Sequence, residues 1–394
     1  MKQLATNIYY VGVNDRQKHL FENLWPLPLG VSYNAYLITG PKNVLVDTVD
    51  SGYADIFLDQ IDKVLVGRPL DYLIINHMEP DHSGSIRQIR EKYPTIQIIG
   101  NKLTFGMLAG YYGITDGLYE VKDGDTLDTG LHRLTFFTAP MVHWPEVMFT
   151  YNETDKILFS ADAFGTFGAL DGGVIDKELD TSRFWDEMVR YYSNIVGKYG
   201  NPVQKTFEKL AGVDFRMICP THGPVWEEQT GKAIEIYDRL SRYEGLNGVT
   251  IVYGSMYGHT QQMAEIIASA LSEEGIRHII VHNVSKSHAS YLLRDIFNNK
   301  GLIIGSPTYC NNLFPEIEAL LGKIELREIK KRLFGYFGSY TWAGAAVKRL
   351  TAFGESMHWE TIGQPVEQKQ NHCTEEQCRA LGKAMAYRLL TLNS

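Results

Sequence analysis

The sequence predicts a two-domain α/β protein, in which two packed sheets with helices outside precede a doubly wound parallel sheet. Three observations carry this expectation. At 394 residues the chain exceeds what one hydrophobic core usually serves. Short, hairpin-linked apolar runs fill its first part, whereas from Val249 onward strand and helix patterns alternate regularly. The change falls at Glu244-Gly-Leu-Asn-Gly248, so the expected domains are residues 1–246 and 247–394.

In the first part, residues 7–12, 33–38 and 43–47 read as strands joined by polar or proline-rich turns. Residues 54–66 have helical spacing and lead to the apolar run 71–76. A helix then opens at Ser83-Gly84-Ser85 and continues over 86–92, before a strand at 95–99. Residues 123–130, Asp-Gly-Asp-Thr-Leu-Asp-Thr-Gly, are turn chemistry. Strands recur at 134–138, 147–151 and 157–160. A long helical region over 182–210 is interrupted near 197–202, and 215–219 supplies a last strand. In the second part, strands at 249–253, 278–283, 301–305, 333–338 and a weaker one near 361–365 alternate with helices, the last at 375–390. Right-handed crossovers between such strands give a parallel sheet that binds ligands at the carboxyl ends of its strands.

Composition narrows the class. An apolar content of 44% and a charged content of 21% are those of an ordinary soluble globular protein. A net charge of −8 argues against nucleic acid or an anionic membrane as the main partner. No run is long enough to span a bilayer and the first residues do not resemble a signal peptide, so a cytoplasmic protein is expected. Cys219, Cys310, Cys373 and Cys378 form no Cys-x-x-Cys, which argues against a rubredoxin-like iron site or zinc ribbon within these residues. They suit a reducing compartment, with Cys373 and Cys378 read as helix-start residues.

The densest chemistry is the turn His77-Met78-Glu79-Pro80-Asp81-His82, which follows the apolar run 71–76. Burying that many titratable groups is costly unless a cation pairs with them. His143 in Pro-Met-Val-His-Trp-Pro, Asp162 in Phe-Ser-Ala-Asp-Ala-Phe-Gly and His222 in Cys-Pro-Thr-His-Gly-Pro each end another strand-like run. Seven candidates are too many for one ion and suit two. Three carboxylates among them favour iron or manganese over zinc, a preference that zinc's tolerance of carboxylates keeps moderate. His19, His132, His278, His282, His288, His358 and His372 lie outside these motifs and read as surface or satisfied core residues. Trp25 and Trp144 either line the metal pocket or fill core, and core is the preferred reading.

Three loops at strand ends of the second part share a character. Gly254-Ser-Met-Tyr-Gly-His-Thr260 places hydroxyls and free backbone N–H groups at a helix start, which holds a phosphate without Lys or Arg. No P-loop signature is present. Ser306-Pro-Thr-Tyr-Cys-Asn-Asn312 and Ser339-Tyr-Thr-Trp-Ala-Gly344 bring aromatic and hydrogen-bonding groups to the same rim, as a flat polar ring requires.

The turn at 77–82 resembles the His-x-His-x-Asp-His signature of the metallo-β-lactamase fold, with Glu79 in place of its second His. Taken with the other four positions, His-Trp-Pro at 143–145, Asp-Ala-Phe-Gly at 162–165 and the three loops, the whole chain resembles the flavodiiron proteins, or A-type flavoproteins. The resemblance implies a metallo-β-lactamase-like domain followed by a flavodoxin-like domain, and reduction of O2 to water, of NO to N2O, or both. It implies two non-haem irons: His77, Glu79 and His143 on one, Asp81, His222 and His82 on the other, and Asp162 bridging. Members differ in whether the residue matching His82 ligates. It also implies FMN, with Ser255, Tyr257, Gly258, His259 and Thr260 at its phosphate and Met256, Tyr309, Tyr340 and Trp342 near its ring. Ser306, Pro307, Thr308, Asn311, Ser339, Thr341, Ala343 and Gly344 complete the three loops. Flavin accepts an electron pair and releases it singly, as one-electron metals require.

Where many members carry Phe-His-Gly near the N-terminus, this chain has Leu20-Phe-Glu-Asn23, and Phe167 stands where they have a His after the bridging Asp. Tyr192, in Tyr-Tyr-Ser-Asn-Ile, is the expected pocket hydrogen-bond donor. The implied partners are a separate electron donor (rubredoxin, a flavoprotein reductase or a reduced deazaflavin) and further copies of the chain, in a head-to-tail homodimer or a tetramer of two such pairs. Two rival readings are a binuclear zinc hydrolase with an appended flavodoxin domain, which leaves Glu79 unexplained, and a pure electron carrier, which needs no ligand cluster.

Overall fold

The computed structural model describes residues 1–370 and 374–392, so the expectations for His372 and Cys373 lie outside the described residues. They fall into two compact units, Met1–Asp238 and Arg239–Ser394. The division lies inside the helix Thr230–Ser241, shortly before the boundary expected after residue 246.

The first unit holds a seven-stranded and a five-stranded sheet. The larger runs in the order Lys2–Ala5, Ile8–Tyr10, Tyr36–Ile38, Val44–Val46, Tyr72–Ile74, Gln97–Gly100 and Leu118–Glu120. Its central strands are buried on both faces, which is why they read as continuous apolar runs. The smaller runs Thr126–Asp128, Arg133–Thr138, Met148–Asn152, Ile157–Phe159 and Met217–Cys219. Thr126–Asp128 is therefore a strand inside a stretch read as turn, and it pairs antiparallel with Arg133–Thr138. The helix Lys102–Tyr112, capped by the Asn101 side chain, carries no amphipathic stripe, and Gly106 and Gly110 weaken its helical signal.

Two departures shape the site. The helix expected after Ser83 begins instead with a short helical turn, Pro80–Ser83, capped by Glu79. Gly84 follows because a Cβ there would lie 2.5 Å from the Pro80 carbonyl oxygen and 2.7 Å from the Ser51 nitrogen. The helical region at 182–210 breaks earlier than expected. An α-helix over Ser182–Tyr191 gives way to a π-helical segment, Tyr192–Val196, and a 3-10 turn before α-helix resumes at Gly200–Leu210. Such segments recur at functional sites.

The second unit is a parallel sheet in the order His278–Asn283, Leu246–Tyr253, Asn299–Pro307, Leu333–Tyr340, with Glu360–Thr361 and Val366–Lys369 both pairing the last. The weak fifth strand is thus two pieces, separated where Pro365 has no N–H to donate. The strand order reverses beside Leu246–Tyr253, making a crevice at the carboxyl ends.

Candidate metal centre and cofactor rim

All seven predicted ligands are buried and converge as two groups: His77, Glu79, His143 and Asp162, and Asp81, His82 and His222. Asp162 faces both. Its Oδ2 lies 2.9 Å from His143 Nε2 and 3.5 Å from His77 Nε2, while its Oδ1 lies 3.1 Å from His82 Nε2 and 3.8 Å from His222 Nε2. Glu79 Oε2 is 3.3 Å from His77 Nε2 and 3.2 Å from His143 Nε2; Asp81 Oδ2 is 3.4 Å from His82 Nε2 and 3.3 Å from His222 Nε2. Separations near 3 Å are the edges of a coordination polyhedron with bonds of about 2.1 Å.

The local chain aims these atoms. Asp47 accepts the backbone N–H groups of Asn76 and His77 at the end of Tyr72–Ile74, at 2.7 and 3.3 Å. The Ser32 carbonyl accepts the His222 Nδ1 proton at 2.7 Å, and Glu146 Oε1 lies 2.8 Å from His77 Nδ1. In both rings Nε2 is left to face the cluster. After His222 the chain turns at Gly223, φ +75°, where a Cβ would lie 2.1 Å from Thr166 Oγ1.

The electrostatics fit a cation pair. Burial alone would lower the pKa of His143, yet Asp162 and Glu79 push it up to about 9. Burial would raise Asp162, and His82 and His77 hold it well below the usual carboxylate range. The carboxylates thus favour positive charge at the positions the cluster encloses. Both oxygens of Asp81 and Nδ1 of His82 are buried without a hydrogen-bond partner among the described residues.

The wall beside His222 is aromatic. Phe21 lies edge-on at 5.4 Å between ring centroids, and Phe167 stands 5.4 Å from Phe21 and 5.0 Å from Tyr191. Phe21 arrives on a small hairpin, Leu20–Phe21 with Trp25–Pro26, too short to leave a strand signal. Next to it Glu22 accepts the Trp25 indole N–H at 3.1 Å, and burial and Glu79 raise its pKa. The structure places Tyr191, not Tyr192, against the cluster: its ring is 5.5 Å from His222, while Tyr192 packs on Tyr237 at 5.0 Å. The Tyr191 hydroxyl is buried with no hydrogen-bond partner among the described residues. Trp144, read as core, is half-buried and edge-on to His77 at 5.2 Å. Trp25 is core, as expected.

Histidines outside the motif behave as structural residues where their contacts are defined. His132 is buried against Asp155, His282 pairs with Asp295, and His288 caps the helix Ala289–Asn298.

In the second unit, a cavity of about 210 Å³ is lined by Ser255, Met256, Tyr257, His259, Thr260, Pro307, Thr308, Ser339, Tyr340, Thr341 and Gln370. A second, of about 430 Å³, shares Met256, Tyr257, Thr308 and Thr341 and adds Tyr309, Cys310, Asn311, Trp342 and Ala343. Gly258, at φ +94°, opens the helix His259–Glu273, and its N–H is accepted by Ser255 Oγ at 3.1 Å. The unsatisfied N–H groups of that helix start suit a phosphate. Trp342 and Tyr257 stand 87% and 90% exposed at this rim. Ser306 and Gly344 line neither cavity: Ser306 Oγ accepts the Phe314 N–H at 3.0 Å, and a Cβ on Gly344 would meet Glu367 at 2.4 Å. Gln370 and Cys310 were missed, since the former follows the split fifth strand and the latter is one unmarked residue of a predicted loop.

A family model described as ODP family beta lactamase matches residues 31–223, and a flavodoxin model matches 251–381. The chain is 32% identical over 390 residues to the anaerobic nitric oxide reductase flavorubredoxin of Vibrio vulnificus, covering 97% of this chain and 79% of that protein. Among solved structures, rubredoxin oxygen:oxidoreductase from Desulfovibrio gigas superposes with a TM-score of 0.94 at 29% identity, covering 100% and 99% of the two chains. The flavodiiron protein of Giardia intestinalis does so with a TM-score of 0.94 at 26% identity, covering 99% and 97%.

Proposed function

The chain belongs to the flavodiiron protein family, and from that premise we propose that it reduces O2, NO or both at a diiron site supplied with electrons through FMN. The carrying observation is one carboxylate, Asp162, whose two oxygens face two separate ligand groups. His77, Glu79 and His143 would hold one iron, Asp81, His222 and His82 the other. Iron held by these residues would supply one-electron chemistry for reducing a small oxidant.

The protein's part is to position and to exclude water. Phe21 and Phe167 wall the His222 side with apolar surface, which suits a small uncharged substrate. Tyr191 keeps its proton, because burial first and then the Asp162 and Glu79 charges raise its pKa well above the ordinary phenol value. Its hydroxyl is thus a hydrogen-bond donor beside substrate, in a reaction that consumes protons. Tyr191→Phe keeps the packing and is expected to lower turnover about ten- to a hundredfold with metal content unchanged. A larger loss in Tyr192→Phe than in Tyr191→Phe would return the role to Tyr192.

Steady-state rates with O2 and with NO on one chemically reduced, metal-analysed sample test the activity. Two irons and turnover of either gas are expected. Two zinc ions in protein made without metal supplementation, with no turnover, would favour the hydrolase reading.

The donor is proposed to be a separate protein or a reduced deazaflavin. The Desulfovibrio enzyme is named for rubredoxin. A cytoplasmic location is proposed, since the free thiols Cys219 and Cys310 suit a reducing compartment. No helix among the described residues is long and apolar enough to cross a membrane. The folding domains are proposed as 1–246 and 247–394, a boundary that falls at the start of the first strand of the second sheet, Leu246–Tyr253.

A head-to-tail homodimer, or a tetramer of two such pairs, is proposed to set the flavin of one subunit beside the irons of its partner. The exposed Trp342 and Tyr257 at the flavin rim support a covering surface. Mixing a His77→Ala/Asp162→Ala protein with a Thr260→Ala/Trp342→Ala protein should restore activity once subunits exchange. Exchange shown by mass without recovery would assign the electron path to a single chain.

A further inference from the structure

Glu146 is fully buried, and one of its oxygens does two things. Oε1 accepts the Nδ1 proton of His77 at 2.8 Å and the backbone N–H of Met78 at 2.9 Å. It therefore grips both the ring of a candidate ligand and the backbone of the turn that carries Glu79. Glu146 itself sits three residues after His143, on the loop that supplies the third member of the same group. That loop is anchored from behind: Asn101 donates from Nδ2 to the Glu146 carbonyl at 2.6 Å while capping the helix Lys102–Tyr112. The second oxygen, Oε2, is buried with no hydrogen-bond partner among the described residues. A residue kept only to tie two loops would gain from satisfying both oxygens, so it is the charge behind His77 that packing does not explain.

The histidines of the other group are backed differently. His222 gives its Nδ1 proton to a neutral carbonyl, Ser32 O at 2.7 Å, and His82 Nδ1 is buried without a hydrogen-bond partner among the described residues. A carboxylate behind an imidazole fixes its tautomer and makes the opposite nitrogen a more basic ligand than a carbonyl does.

We propose that Glu146 is a positioning residue that makes the two metal positions unequal, tightening the one formed by His77, Glu79 and His143 through the His77 ring. This rests on the dinuclear reading above. The group it strengthens is the tighter of the two, and iron held there is the harder to reduce.

The test uses full-length protein stripped of metal and titrated with Co(II), followed by visible absorption, with FMN absorbance and thermal midpoint as fold controls. Wild type should bind two equivalents. Glu146→Gln, which keeps the shape and loses the charge, should weaken one position about ten- to a hundredfold and leave the other within about twofold. In iron-loaded protein, one of the two reduction steps followed by electron paramagnetic resonance should move to higher potential. If Glu146→Gln does not fold, Glu146→Asp, which keeps the charge at a shorter reach, should weaken the same single position by a smaller factor. Affinities and potentials equal to wild type would overturn the proposal. A parallel fall at both positions with a lowered thermal midpoint would also overturn it, reducing Glu146 to a structural tie. Fewer than two equivalents in wild type would instead overturn the dinuclear reading, so the two failures are distinguishable.

Discussion

Asp162→Asn is expected to bring turnover of O2 and NO to background and to leave less than two equivalents of iron, with FMN at full occupancy. The carboxylate presents one oxygen to each ligand group. An amide keeps one acceptor, turns an NH2 toward the other group, and removes the shared negative charge. A unit charge about 4 Å from a cation is worth about 4 kcal/mol at an effective dielectric of 20. The loss of affinity should therefore be about a thousandfold, and larger for an ion carrying two charges. The fold should hold, because Thr221 Oγ1 donates to Oδ1, which the amide retains. Metal analysis, flavin absorbance and steady-state rates on one sample check this. A metal-replete Asp162→Asn protein turning over at the wild-type rate would falsify the bridging role.

Ser255→Asp should give colourless protein with a full complement of iron and no flavin-dependent activity. Ser255 lines the smaller cavity and accepts the Gly258 N–H in the loop that opens the helix His259–Glu273. Aspartate accepts that N–H as well as serine does, so the loop should keep its conformation. It also sets a negative charge where the helix start would otherwise receive a phosphate. The same Coulomb estimate, about 4 kcal/mol at 4 Å, predicts at least a thousandfold weaker FMN binding. Ser255→Asn, isosteric and neutral, should stay yellow. Stoichiometric FMN released by acid from Ser255→Asp would place the phosphate elsewhere.

Much of this was legible without a structure because it is local. The Gly-Ser-Met-Tyr-Gly-His-Thr loop announces a helix start suited to a phosphate, since glycine at a positive φ and hydroxyls near free N–H groups are consequences of a few adjacent residues. The ligand turn at 77–82 is equally local, and His143, Asp162 and His222 could be joined to it because each ends an apolar run. The strand alternation after Val249 gave away the second sheet, although the break at Pro365 blurred its last member and hid Gln370.

Other features depended on distance or on angle. Tyr191 and Tyr192 differ by about 100° around a helix, and the π-helical segment that begins at Tyr192 is not marked by any residue type. Which ring faces the cluster was therefore decided by packing on Phe21, Phe167 and His222. The Phe21 hairpin has two residues per strand, too few for an alternation to show. Glu146 looks like any carboxylate after a proline until the chain brings it to His77, 69 residues earlier. By itself, then, the sequence determined the kinds of groups that meet: seven candidate ligands and a candidate phosphate-binding rim, because their chemistry is written in short contiguous motifs. Only the tertiary structure decided how they meet. The division of ligands into two groups, the two-sided placement of Asp162, the aromatic wall and the carboxylate behind His77 all arise from contacts between residues far apart in the chain, whose geometry no local pattern encodes.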